Sequence, residues 1–170
     1  MGDRVDAVVV GAGISGLTSA LALRERGWRV RIVSDRPPAA STSFLAAAVW
    51  FPTRAGPRDR VLDWGARTYT ELAEQARAGV PGILMRESLM LYREPPDEPW
   101  WAPAVGGVRA AEPAELPPGY AHGLRFTVPL AEMPRYLPWL LERFESGGGQ
   151  LEYRRLSSLA ELASEAFRHL

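Results

Sequence analysis

Asp6 to Val10 is an unbroken, β-branched apolar run, the pattern of a strand buried on both faces of a parallel sheet. A glycine-rich turn follows. From Ile14 to Arg26 the apolar positions Leu17, Ala20, Leu21 and Leu23 recur at helical spacing, and Gly27 then stops the helix. Arg29 to Ser34 carries Val30, Ile32 and Val33 in a second strand, so the first ~35 residues predict one βαβ unit.

Pro37-Pro38 interrupts this pattern, and residues 39–52 read as a small-residue loop ending in Val49-Trp50-Phe51-Pro52. A loop of that length inside a compact domain is usually functional or disordered. Arg58 to Ala78 returns to helical period, with Val61, Leu62, Tyr69, Leu72, Ala73 and Ala76 on one side and Gly79 after it. Ile83 to Tyr92 reads as one or two short strands, followed by the Pro- and Trp-containing segment Glu94 to Pro103 and a turn-rich connector from Pro113 to Gly119. No element is read over residues 120–129. Leu130 to Phe144 predicts a further amphipathic helix, kinked at Pro138, and Leu151 and Tyr153 alternate with polar residues in a last strand before Leu156. Strands interleaved with helices predict an α/β fold.

Composition narrows the function. The 170 residues amount to about one domain, and 46% hydrophobic with 24% charged residues is ordinary for a chain with a real core. Twenty basic residues balance twenty acidic ones, which argues against nucleic acid or an anionic membrane surface as partner. The absence of cysteine excludes disulfides, thiolate metal sites and a thiol nucleophile, and leans toward the cytoplasm. Ala7 to Leu23 is apolar but short for a membrane span and holds three glycines. His122 and His169 have no neighbours at metal-ligand spacing, so no metal site is expected. Ser15 fails the nucleophile-elbow pattern of a serine hydrolase. Trp100-Trp101 reads as packing on a core or domain interface.

The string Gly11-Ala12-Gly13-Ile14-Ser15-Gly16 fits G-x-G-x-x-G in its required setting: it follows a strand, opens a helix, and is answered by Asp35, 19 positions after Gly16, at the end of the second strand. The first glycine permits a tight turn, the second a close approach of backbone to a pyrophosphate, and the third close helix–strand packing. Backbone N–H groups and the helix dipole then face the phosphates. Asp35 would accept from a ribose hydroxyl, which suits an adenosine without a 2′-phosphate. This counts against NADP and leaves NAD and FAD both open.

Val8 to Leu17, Val33-Ser34-Asp35-Arg36, Ser41-Thr42-Ser43 and Ala46 to Pro52, resuming at Tyr136 to Leu140 and running through Leu156, together resemble the D-amino-acid oxidase family, especially its bacterial members. The resemblance implies a Rossmann-like FAD-binding domain, incomplete here, with the start of a mixed-sheet substrate domain. Residues 1–78 would form the FAD-binding βαβ unit, flavin loop and following helix, 79–128 the beginning of the substrate domain, and 129–170 the return to the FAD-binding domain. By the same resemblance, Gly11, Ala12, Gly13, Ile14, Ser15 and Gly16 would hold the FAD pyrophosphate, with Asp35 on the adenosine ribose and Arg36 beside the adenine. Ser41 and Thr42 match pyrophosphate positions, Ala47, Ala48 and Val49 match backbone positions along the isoalloxazine ring, and Leu156 matches a backbone contact to adenine.

The implied reaction is oxidation of a small D-amino acid: hydride passes from the α-carbon to flavin N5, and O₂ reoxidises the flavin, giving an imino acid and hydrogen peroxide. Ala48 and Phe51 stand where some members have Gly and Gln. The family's substrate-binding Tyr and Arg would lie past residue 170, so no catalytic residue is expected within this chain. The expected state is a truncated, inactive oxidase, self-associating through an exposed core. One inserted base after the Phe167 codon would turn Phe-Val-Ile into the observed Phe-Arg-His, and resequencing the gene tests that frameshift. The alternatives are an ADP- or FAD-binding module completed by a second chain, and an NAD-dependent dehydrogenase fragment.

Overall fold

The computed structural model describes residues 5–46, 48–52 and 55–162. Its elements in chain order are β1 (Ala7–Val10), α1 (Ile14–Glu25), β2 (Val30–Ser34), α2 (Thr42–Leu45), β3 (Ala48–Val49), α3 (Arg58–Arg77), β4 (Ile83–Tyr92), β5 (Arg109–Ala110), β6 (His122–Ala131), α4 (Met133–Ser146) and β7 (Gln150–Tyr153). Short 3₁₀ turns occupy Pro38–Ala40, Ala102–Ala104 and Pro113–Glu115. The chain divides into two compact units, Met1–Ala47 with Met133–Leu170, and Ala48–Glu132.

The first unit is a parallel sheet in the order β1-β2-β7. β2 lies in the middle and is the most buried of the three strands, with Val30, Ile32 and Val33 at most 2% exposed. α1 buries Leu17, Ala20 and Leu21, one stripe at i, i+3 and i+4. α4 buries Met133, Tyr136, Leu137, Leu140 and Phe144 by the same periodicity. Each fully buried Leu, Ile or Phe of this set stabilises by ~1.5–3 kcal/mol relative to exposure. Arg143 pairs with Glu25 at 2.9 Å and Arg24 donates to the Gly147 carbonyl, joining α1 to α4 across their exposed faces. The helix runs on through Pro138. The hydrogen bond that Pro138 cannot make would run to the carbonyl of Pro134, and both prolines are on the exposed side, where water can satisfy that oxygen.

The second unit is built on β6. β4 pairs with it antiparallel along ten residues, from Ile83 opposite Ala131 to Tyr92 opposite His122. The other edge of β6 takes β3 at Ala131 and Leu130 and β5 at Arg125 and Leu124. Leu124, Phe126 and Val128 alternate onto one face, where Phe126 and Val128 join Trp101 and Val105 in a buried cluster lined by Trp50, Phe51, Tyr69, Met90 and Trp100. Trp101 meets Phe126 edge-to-face at 4.8 Å and Phe51 at 5.4 Å. α3 is fixed by directional bonds: Trp50 Nε1 donates to the Gly65 carbonyl and the Tyr69 hydroxyl to the Thr127 carbonyl, each at 3.0 Å.

Four features differ from the sequence pattern. The segment read as a loop, residues 39–52, carries α2 and β3. Ile83–Tyr92 is one ten-residue strand, and its partner β6 falls where no element is read. The helix expected from Leu130 begins at Met133, because Leu130 and Ala131 are held in β6 by pairing with β3 and β4. α3, grouped by sequence with the βαβ unit, packs in the second unit.

Candidate functional site

The turn after β1 is shaped by its glycines in three different ways. Gly11 has φ +98°, its N–H donates to the Val33 carbonyl at 2.8 Å, and a Cβ built on it meets nothing within 4 Å, so space lies open over this backbone. A Cβ on Gly16 would lie 1.9 Å from the Gly11 carbonyl oxygen, so α1 can approach β1 this closely only without a side chain there. Gly13 is the N-cap of α1 and brings no capping side chain, and the first turn of α1 holds no acidic residue. Ala12 is buried, Ile14 half-buried and Ser15 exposed.

Val10 pairs with Val33, which sets Gly11 beside the end of β2 and puts Asp35 and Arg36 just past it. Arg36 grips the Asp35 carboxylate with both arms of its guanidinium, Nε to Oδ1 at 3.0 Å and Nη2 to Oδ2 at 2.7 Å. That hydrogen bonding holds the Asp35 carboxyl below the usual carboxylate range, and the charge of Arg155 acts in the same direction. Asp35 is thus a charged acceptor whose two oxygens both meet Arg36. The Arg154 N–H donates to the Ser34 carbonyl at 2.8 Å, carrying the β7 chain past the same edge toward half-buried Leu156. The predicted residues Gly11 to Gly16, Asp35, Arg36 and Leu156 therefore gather at the carboxyl ends of parallel strands, where open α/β sheets bind ligands.

The hydroxyl-bearing segment, residues 41–43, presents its three side chains differently. Ser41 Oγ donates to the Pro38 carbonyl at 2.6 Å, closing its own turn, and Thr42 is exposed. The hydroxyl that reaches the glycine turn is that of Ser43, which accepts the Ile14 N–H at 3.1 Å. Its only signal in the sequence is the Ser-Thr-Ser run, which does not say which of three hydroxyls faces the helix. Of the positions matched to the isoalloxazine ring, Ala48 and Val49 form β3 in the second unit, with Val49 half-exposed, and Ala47 lies outside the described residues.

Open backbone at Gly11, a helix N-terminus without its own acid, and a charged acceptor at Asp35 fit the diphosphate and ribose of an adenine dinucleotide. Fold and site define a dinucleotide-binding domain of the Rossmann-like class. More narrowly, the chain belongs to the FAD dependent oxidoreductase (DAO) family, whose model matches residues 6–167. This sets aside the NAD-dependent dehydrogenase reading.

The chain is 50% identical over 161 residues to D-amino-acid oxidase from Rubrobacter xylanophilus, covering 94% of this chain and 49% of that protein. Identity to D-amino-acid oxidase from Streptomyces coelicolor is 40% over 161 residues, covering 92% and 48%. The chain thus spans about half the length of the curated relatives it matches. Among solved structures, L-amino acid deaminase from Proteus vulgaris superposes with a TM-score of 0.67 at 18% identity over 89% of this chain and 40% of that one. Glycine oxidase from Geobacillus kaustophilus gives 0.63 at 20% identity over 88% and 46%. These neighbours share the fold. Among the described residues, no helix is long and apolar enough to cross a membrane, and no group of three His, Cys, Asp or Glu is placed to hold a metal ion.

Proposed function

We propose that this chain is the ADP-binding portion of an FAD-dependent D-amino-acid oxidase. The observation that carries the reading is the glycine turn with Gly11 open at φ +98° and Gly16 against the Gly11 carbonyl, facing the ionised Asp35 beyond the adjacent parallel strand. In this reading Gly11 to Gly16, with Ser41 and Thr42, hold the diphosphate, Asp35 and Arg36 meet the adenosine, and Leu156 borders the adenine. Ala47, Ala48 and Val49 line the flavin ring. The bound flavin would supply a hydride acceptor, and the family resemblance makes the donor the α-carbon of a small D-amino acid. Because the chain spans about half its relatives, the second reading is a cofactor-binding module completed by another polypeptide segment. A cytoplasmic location and self-association through apolar surface such as Val10, 51% exposed at the end of β1, belong to the same proposal.

The test is the absorption spectrum of the purified chain after FAD is added and the excess removed, followed by anaerobic D-alanine. Retained flavin bands that bleach support the oxidase reading, and retained bands that do not bleach support the module. Absence of retained flavin overturns both.

A further inference from the structure

The positive end of α1 already has an occupant, and it comes from far along the chain. Ser43, 29 residues from Ile14, places its Oγ 3.1 Å from the Ile14 nitrogen and accepts that N–H. The same oxygen lies 3.0 Å from where a Cβ of Gly13 would be, so it covers the backbone that the glycine motif keeps bare. α1 has no acid in its first turn, so in this region the helix dipole is met by a neutral hydroxyl, a weaker partner than an anion. Ser41, by contrast, is committed to its own turn through Pro38. The residue that would have to move is a serine, with a single side-chain torsion, on the four-residue helix α2, whose neighbouring Leu45 is 84% exposed. Rotation of one torsion is enough to withdraw the hydroxyl.

We propose that Ser43 is a built-in stand-in for a cofactor phosphate oxygen: its hydroxyl caps α1 and yields the Ile14 N–H to a nucleoside diphosphate or dinucleotide on binding. The inference rests on the dinucleotide reading above. It makes Ser43 a positioning residue whose hydrogen bond competes with ligand.

The experiment measures hydrogen exchange at the Ile14 amide and ADP affinity by calorimetry in the 170-residue chain and in Ser43→Ala and Ser43→Thr. Losing a competing hydrogen bond of ordinary strength should tighten ADP binding by about three- to tenfold in Ser43→Ala. Without ADP, Ile14 should exchange faster in Ser43→Ala by a similar factor, and with saturating ADP the two chains should protect Ile14 equally. Ser43→Thr, which keeps the hydroxyl, should behave as the parent. ADP binding that is unchanged or weaker in Ser43→Ala, or an Ile14 amide indifferent to the substitution, overturns the inference and makes Ser43 a structural or permanent phosphate contact. A parent chain that binds neither ADP nor FAD removes the dinucleotide reading itself, which is a separate result.

Discussion

In the parallel unit most of the deeply buried side chains are aliphatic, Leu17, Ile32 and Leu137 among them, and α1 with β2 forms one continuous stretch of about 20 residues. In the antiparallel unit the core is aromatic. Trp101 stands edge-to-face on Phe126 and Phe51, and Trp50 meets Tyr69 edge-on at 5.7 Å, contacts that reach 19 to 50 residues along the chain. Aliphatic stripes fill the space between helix and sheet by periodicity alone. Aromatic rings need directional partners, such as the Gly65 and Thr127 carbonyls that take Trp50 Nε1 and the Tyr69 hydroxyl. The βαβ part of the first unit is therefore organised by local pattern, while the second unit depends on rings and strands brought together from separate segments.

The largest effect should come from cutting the aromatic core. Phe126→Ala removes the ring against which Trp101 packs at 4.8 Å and should cost about 3–5 kcal/mol, read as a lowered denaturation midpoint with loss of exchange protection along β4 and β6. A loss below about 1 kcal/mol would mean that the core is held by the strand ladder rather than by the rings.

In the parallel unit the sharpest break is Gly16→Ala. The added methyl would sit 1.9 Å from the Gly11 oxygen, so α1 and the glycine turn must separate. Overpacking of this kind costs about 1–3 kcal/mol and here should also abolish ADP binding. Gly11→Ala is the instructive partner: it meets no atom, but it strains a backbone at φ +98°. It should destabilise without a clash, and equal effects of the two variants on ADP binding would contradict the distinct roles assigned to these glycines.

That contrast explains what could be read from residues alone. The βαβ unit, the glycine turn and Asp35 were all readable, because each depends on neighbours within ~35 positions and on the period of one helix. β6 was not read, although Leu124, Phe126, Val128 and Leu130 alternate perfectly. Pro129 sits in the run, and a proline ordinarily argues against an inner strand. Here Pro129 is buried in β6 and its carbonyl accepts the Trp50 N–H at 2.9 Å, so the position is held by a bond that its own missing N–H does not affect. Ser43 escaped for a similar reason: which hydroxyl of the Ser-Thr-Ser run reaches Ile14 depends on how α2 closes on Pro38.

A smaller effect, confined to binding, is expected at Asp35. Its pair with Arg36 is exposed on both sides, so Asp35→Asn should leave the melting temperature within about 1 °C of the parent. ADP or FAD affinity should nevertheless fall about tenfold, the usual worth of a hydrogen bond to a charged acceptor. A change in stability without a change in affinity would reverse the role given to this residue.

The finest distinction concerns charge in the antiparallel unit. Arg109 forks onto Glu115 with two 2.8 Å bonds, the Glu112 N–H donates to the same carboxylate at 2.8 Å, and Arg125 approaches it at 2.6 Å and Glu87 at 2.7 Å. The Arg109 hydrogen bonds first, then the Glu112 N–H, hold the Glu115 carboxyl at about 2, down from an ordinary 4.5. A folded-state value below the unfolded one means that the carboxylate's contribution is fully present above pH 4.5 and is lost as pH falls from there to about 2. Glu115→Gln lacks that titration, so the stability difference between parent and variant should be constant above pH 5 and shrink steadily below pH 4.5. Parallel stability curves down to pH 2 would show that the Arg109 fork does not hold the connector to β6 in solution, and the ordering of that segment would then rest on the β5 pairing alone.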